Sequence, residues 1–226
     1  NSLRRLGLDT IDIVYTHNRI GSERNVSSGT FSLEDLSPVV EVFEKAVKAG
    51  KIKYWGFNGL GETGAIKKSL NRYSPSAIHT CYNLLNPTSG YDLPPSFSYQ
   101  NFEQLMNVAS DNGIGTVGIR ILAGGALSGS VERHPIAQQN VDPISTSYTF
   151  QEDVNRTSDF QFLITEGFVE NFVEASVRFA ISNNNLDTAL IGLSNFDQLK
   201  QAIQYVDRGP LSQEAIDKIS NTWTRK

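Results

Sequence analysis

The run Ile11-Asp12-Ile13-Val14-Tyr15-Thr16-His17 ends an apolar stretch on an imidazole. Such a group can orient a carbonyl through a hydrogen bond or carry a proton near neutral pH. Ile11, Ile13 and Val14 read as a short buried strand. Residues 1–6 before it read as the end of a helix, with Leu3 and Leu6 on one face and Gly7 where a helix would stop. A histidine where a buried parallel strand ends occupies the position from which α/β barrels present chemistry. The alternative is a core histidine whose bonds are internally satisfied. The chain opens in the middle of a strand–helix unit, so a front end is expected to be missing. A second reactive type, Cys81, lies inside the apolar run 77–82 and reads as a small core residue. It is the only cysteine, so no internal disulfide can form.

These groups need elements to hold them. Five stretches read as strands: 11–17, 54–58, 77–82, 116–122 and 188–193. Each is followed by a helical pattern. Ser32 and Asp35 have capping-box spacing ahead of Leu36, Val39, Val40, Phe43 and Val47, and Gly50 closes that helix. Further helices are expected at 62–72, 99–112 and 167–182. Ser194 and Asp197 suggest another capping box, for a helix with Phe196, Leu199, Ile203 and Val206 inward. A last helix begins near Ser212, with Ile216, Ile219 and Trp223 on its inner face. Residues 130–159 are polar and Pro-containing with little periodicity, and read as a long flap over the C-terminal ends of the strands.

Strict alternation of continuous apolar strands with helices implies a parallel sheet covered by helices. An open dinucleotide-binding sheet should carry Gly-x-Gly-x-x-Gly after its first strand, where Thr16-His17-Asn18-Arg19 stands instead. That favours a TIM barrel of (β/α)8 type, of which five strand–helix units are visible and three are expected to precede residue 1. The 226 residues suit one large domain, expected to be a single partial barrel over 1–226. A net charge of −4 lacks the basic face that nucleic acid requires. No run of eighteen apolar residues points to a membrane span, and no leader pattern is visible, so a cytoplasmic protein is expected. No cluster with metal-ligand spacing stands out. The oligomeric state is left open.

Five collinear motifs then resemble the aldo-keto reductases, from the fourth barrel strand to the C-terminus. They are Leu3-Arg4-Arg5-Leu6-Gly7-Leu8-Asp9-Thr10-Ile11-Asp12, Gly50-Lys51-Ile52-Lys53-Tyr54-Trp55-Gly56, Tyr82-Asn83-Leu84-Leu85-Asn86, Leu122-Ala123-Gly124-Gly125-Ala126-Leu127-Ser128-Gly129 and Gly192-Leu193-Ser194-Asn195. Gly59-Leu60-Gly61-Glu62-Thr63 and Asn86-Pro87 resemble the aldose and galactose dehydrogenase branch. The resemblance implies an oxidoreductase that moves hydride between NADP or NAD and a small aldehyde, ketone or sugar. Its catalytic tetrad is Asp, Tyr, Lys and His, with the Tyr as proton donor. His17 matches the histidine, which orients the carbonyl and helps to stabilise developing negative charge. The other three belong to earlier strands, and no tyrosine of this chain matches the donor's motif. The chain is therefore expected to be a fragment, inactive alone; the alternative is a non-catalytic nucleotide-binding or interaction module on the same fold.

The resemblance also implies cofactor contacts. Asn58 stands where the family binds the nicotinamide carboxamide, and His79 where it has a Gln. Ile119 replaces an aromatic that stacks on the nicotinamide. Arg120 stands where a small polar residue is common and would bring a permanent charge to the barrel mouth. Leu122 and the low-bulk turn at Gly124 and Gly125 would let backbone N–H groups approach a pyrophosphate. Ser194, Gln198 and Gln201 occupy the places that meet the adenosine end, with Lys200 the nearest cation. Ser194 reads equally well as a helix cap.

Overall fold

The computed structural model describes residues 2–224; Asn1, assigned above to the opening helix, lies outside them. The chain divides into two compact units, the first reaching to Thr80 and adding Leu105–Val117, the second made of Cys81–Gln104 and the chain from Gly118 onward.

In the first unit, α1 (Ser2–Leu6) leads into β1 (Ile11–Tyr15). Two short strands, β2 (Arg19–Ile20) and β3 (Thr30–Phe31), pair in parallel ahead of α2 (Leu33–Lys48). The expected capping box is present: the Ser32 hydroxyl accepts from the Asp35 N–H, and the Asp35 carboxylate accepts from the Ser32 N–H at 3.0 Å. Together they satisfy two amide donors that the helix start leaves open. The chain then forms β4 (Ile52–Asn58), α3 (Thr63–Tyr73), β5 (Ala77–Cys81) and α4 (Leu105–Asp111).

β4 pairs in parallel with β1, from Ile11–Ile52 to Tyr15–Gly56, and with β5, from Gly56–Ala77 to Asn58–His79. Gly56 is where both ladders meet. A Cβ there would press on the Ala77 carbonyl and come within 2.6 Å of the Tyr15 ring, so only glycine lets that ring lie across the strand. The central strand is buried through Trp55, Phe57 and Asn58.

Strand β6 (Gly115–Ile119) runs from the first unit into the second. There follow a 3-10 turn at Ala123–Ser128 and α5 (Phe150–Thr157), then a 3-10 turn and α6 (Phe162–Thr165). The chain closes with α7 (Phe172–Ala180), β7 (Thr188–Ala189), α8 (Phe196–Asp207) and α9 (Gln213–Thr224). The strand order of the larger sheet is β1-β4-β5-β6-β7. Aromatics fill the second unit's core: Tyr82 stacks on Phe179 at 4.9 Å, and Tyr91 packs at a tilt against Trp223 at 5.1 Å. The Trp223 indole N–H donates to the Leu84 carbonyl at 2.8 Å. Glu174, 1% exposed, receives Arg178 at 2.9 Å and Arg208 at 2.8 Å.

Four sequence expectations are corrected. The strand expected over 116–122 stops at Ile119, because Arg120 turns to a φ of 61°. The helix expected over 99–112 starts only at Leu105, since Glu103 and Gln104 have φ of 48° and 56°. Residues 130–159 are not loop throughout: α5 has its own capping box at Thr149 and Glu152. Its inward face is polar, with Asp153 and Thr157 fully buried and Thr157 donating to the Ala126 carbonyl at 3.2 Å, so no apolar period marks it.

Finally, α8 is capped by Asn195 rather than Ser194, and its Phe196 and Ile203 are 67% and 52% exposed. It turns Tyr205 inward instead, where the Asn171 amide donates to the phenol oxygen at 2.9 Å. Among the described residues no helix is long and apolar enough to cross a membrane.

Candidate functional site

In the first unit, the chain just past β1, the end of β4 and the middle of β5 bring together His17, Asn58 and His79. Parallel pairing does this directly: Asn58 is in register with His79, and Tyr15 with Gly56, two residues before Asn58. The Asn58 N–H donates to the Thr16 hydroxyl at 3.2 Å, and its side-chain amide donates to the His17 carbonyl at 2.9 Å. The His17 ring itself is exposed. Asn58 is 7% exposed, and its Oδ1 is buried with no hydrogen-bond partner. A buried amide oxygen left open costs about 1–3 kcal/mol, so an incoming N–H donor would be well rewarded there.

His79 stacks on the Tyr15 ring at 4.0 Å and 22°. Burial, and then the neighbouring His17, hold its pKa below the ordinary 6.5. At pH 7 the ring is therefore neutral, with one donor and one acceptor nitrogen. Burial likewise raises the Tyr15 phenol above its usual 10.0, so that hydroxyl stays protonated.

In the second unit, the chain after β6 brings together Arg120, Leu122, Gly124 and Gly125. Arg120 adopts a left-handed backbone; its carbonyl accepts from the Ala123 N–H at 2.7 Å and from the Asn83 amide at 2.9 Å. Leu122 precedes the 3-10 turn and accepts from the Gly125 N–H at 2.8 Å. Gly124 and Gly125 have φ of 68° and 106°, which side-chain-bearing residues rarely adopt. A Cβ on Gly124 would also come within 2.7 Å of Val141 and 2.9 Å of the Arg120 guanidinium. Burial lowers the Arg120 pKa from its ordinary value, opposed by Cys81 and the buried Asp153 carboxylate, while Arg133 adds to the lowering. The same apolar burial pushes the Cys81 thiol up to about 12, in keeping with an inert core residue.

Ser194 and Gln198 also meet. The Ser194 N–H donates to the Gln198 Oε1 at 2.7 Å, and the Gln198 N–H donates to the Asn195 side chain at 2.9 Å. Both are thus committed to the start of α8. Gln201 is exposed on the same helix, and Lys200 pairs with Asp197 at 3.7 Å.

One group went unnoticed in the sequence. Arg133, in the polar stretch after the glycine turn, donates to the Gly124 carbonyl at 2.7 Å. No periodicity or cap marks it, and only the spatial return of residues 133–142 to the turn gives it significance.

The geometry has counterparts among solved structures. The aldo-keto reductase AKR11C1 from Bacillus halodurans, in its holo form, matches with a TM-score of 0.64 and 22% identity, over 98% of this chain and 64% of that one. Its apo form matches at 0.62 and 21%, over 98% and 65%. At such identity the likeness shows the fold, that of consecutive strand–helix units of an aldo-keto reductase (β/α)8 barrel. This chain spans roughly two thirds of the length of those structures. The Aldo/keto reductase family model matches residues 1–224, and the chain belongs to that family. No curated protein matches it by sequence.

Proposed function

We propose that this chain binds NADP or NAD as part of an oxidoreductase acting on a small aldehyde, ketone or sugar. The observation that carries the reading is the open Asn58 Oδ1, buried at a strand end and held in place through the His17 carbonyl. A nicotinamide carboxamide carries the N–H donor that such an oxygen lacks, so the residues present fit the cofactor. A nicotinamide held there would supply hydride transfer to or from the substrate. His79, neutral at pH 7, offers a further hydrogen bond in place of the family's Gln. Leu122 and the Gly124–Gly125 turn leave backbone free of side-chain bulk for a pyrophosphate, and Arg120 supplies positive charge. Ser194, Gln198 and Gln201 are assigned to the adenosine end. The nearest cation there, Lys200, is already paired with Asp197, which favours NAD over NADP.

His17 would hold the substrate oxygen by a hydrogen bond that strengthens as negative charge grows on it. A second reading is a nucleotide-binding module on the same fold that does not itself turn over. Both readings require the cofactor, and titrating NADH and NADPH against the chain, followed by nicotinamide fluorescence, tests that requirement. Saturable binding weakened about tenfold by Asn58→Ala is expected, from the loss of a hydrogen bond to a buried group. A flat signal for both nucleotides rejects the assignment. If turnover is observed, His17→Ala should lower kcat by about a hundredfold with little change in nucleotide binding. Nucleotide binding without turnover favours the module.

A further inference from the structure

The second unit holds a cavity of about 70 Å³ that shares no lining residue with the candidate site. Its floor is apolar, since Leu85, Phe160 and Trp223 are all buried. Trp223 is fixed there by the bond from its indole N–H to the Leu84 carbonyl at 2.8 Å. One wall is a stack in which the Arg156 guanidinium lies 4.0 Å from the centre of the Tyr99 ring. Phe97 meets that ring edge-on at 5.4 Å. Ser96, Ser98 and Asp159 are exposed and stand on the solvent side.

The charge around this cavity is not balanced. Arg156 donates to the Leu85 carbonyl at 2.9 Å and to the Ser147 hydroxyl at 3.1 Å. The Asp153 carboxylate, fully buried, lies 3.6 Å from the same guanidinium. Burial lowers the Arg156 pKa, opposed by Tyr99, Asp153 and Asp159. One guanidinium is thus set against two carboxylates, which leaves an excess of one negative charge. Among the described residues that line the cavity, Asp159 is the one carboxylate. Arg156 is turned to the protein through two nitrogens and covered by Tyr99 on one face, so it serves as a wall and not as an anion receptor.

Size and lining then narrow the occupant. An apolar cavity of about 150 Å³ admits benzene, so about 70 Å³ has room for about three carbon atoms. The floor rewards an alkyl chain, and the aromatic faces and the acid at the mouth reward a cation. An anionic head group would meet Asp159 and be repelled. A neutral chain would gain the floor alone.

We propose that this cavity binds a short primary alkylammonium, with its chain on Leu85, Phe160 and Trp223 and its ammonium beside Asp159. The inference goes beyond the oxidoreductase reading and does not rest on it. The ammonium can belong to a free amine or to the end of a lysine side chain, which present the same chemistry.

The test is a saturation-transfer NMR titration of the 226-residue chain with n-butylammonium, n-butanol and butyrate. The three share a chain length and differ in head group. Butylammonium should bind in the millimolar range expected of so few atoms, butanol more weakly, and butyrate not at all. Asp159→Asn, at an exposed position, should weaken butylammonium about threefold, the scale of an exposed ion pair, and leave butanol unchanged. Added salt should weaken butylammonium alone, a readout that needs no variant. Ser98→Trp puts bulk at the mouth and should reduce binding of both chains, with far-ultraviolet circular dichroism to verify folding. Competition by Nα-acetyl-lysine methylamide identifies a lysine side chain as the source; binding of butylammonium without that competition identifies a free amine. Equal binding of all three head groups overturns the assignment. So does the absence of saturable binding, or an affinity for butylammonium indifferent to both Asp159→Asn and salt. The NADH and NADPH titrations answer separately, because no lining residue is assigned to the nucleotide.

Discussion

The two units position their candidate groups by different means. In the first, Asn58 and His79 are neighbours by ladder register, and His17, just past β1, is tied to them by the bond from the Asn58 amide to its carbonyl. In the second, Arg120, Gly124, Gly125 and Arg133 stand on irregular backbone held by side-chain-to-carbonyl bonds. Asn83 grips the Arg120 carbonyl and Arg133 grips that of Gly124. A ladder is specified by a short apolar run and a period, so it is robust and easily placed. A turn fixed by distant polar side chains is specified by few residues, each of which matters more.

The sharpest way to break that contrast is at Glu174. Its carboxylate is buried between Arg178 and Arg208 and accepts from the Glu170 N–H at 2.8 Å. Burial opposes its ionisation, yet that backbone bond and the two arginines hold its pKa below 4.5. Glu174→Gln should destabilise the fold by about 3 kcal/mol, the usual cost of breaking a buried pair from one side. Hydrogen exchange should rise in α7 and α8 while β1 and β4 keep their protection. Equal loss in both units would show that the units do not differ in this way.

The complementary change in the first unit is Gly56→Ala. The added methyl meets the Tyr15 ring and the Ala77 carbonyl, and should cost about 2 kcal/mol by overpacking, read as a lower midpoint in urea. A neutral result would mean that the ladder yields more than its register suggests.

The smallest effect is expected from His79. Its folded pKa lies below 6.5 through burial and then His17, so the folded state resists protonation that the unfolded chain accepts. Stability should be full above pH 6.5, fall as the pH drops below it, and level off past the depressed folded value. The slope attributable to this one proton cannot exceed about 1.4 kcal/mol per pH unit. His79→Gln should flatten that limb of the stability–pH curve. An unchanged curve would remove His79 as its source.

Legibility in the sequence follows the same division. β1, β4 and β5 were readable to within about two residues of their ends because their apolar runs are continuous, and the Ser32–Asp35 cap was readable from spacing alone. Of the candidate site, His17 was located by a strand terminus and a family motif, and Asn58 and His79 by the resemblance; the structure brings the three near one another. In the second unit, α5 was missed because its inward residues, Asp153 and Thr157, are polar. The end of β6 was misplaced because the chain turns at an arginine, a residue with no turn signature. The α8 cap moved by one residue, from Ser194 to Asn195, because both types are good caps. Arg133 had no local signal at all; its meaning depends on a fold-back across the glycine turn.

The backbone of Arg120 has a consequence for variation at that position. A residue held at a φ of 61° is one where glycine or asparagine would relax the main chain. Relief of the backbone alone would favour glycine here, while the side-chain bond to the Asp142 carbonyl and the charge beside the buried Asp153 favour arginine. Arg120→Gly therefore trades a relaxed main chain for a released residue 142 and a buried carboxylate with one counter-charge fewer, a position where two local demands pull in opposite directions.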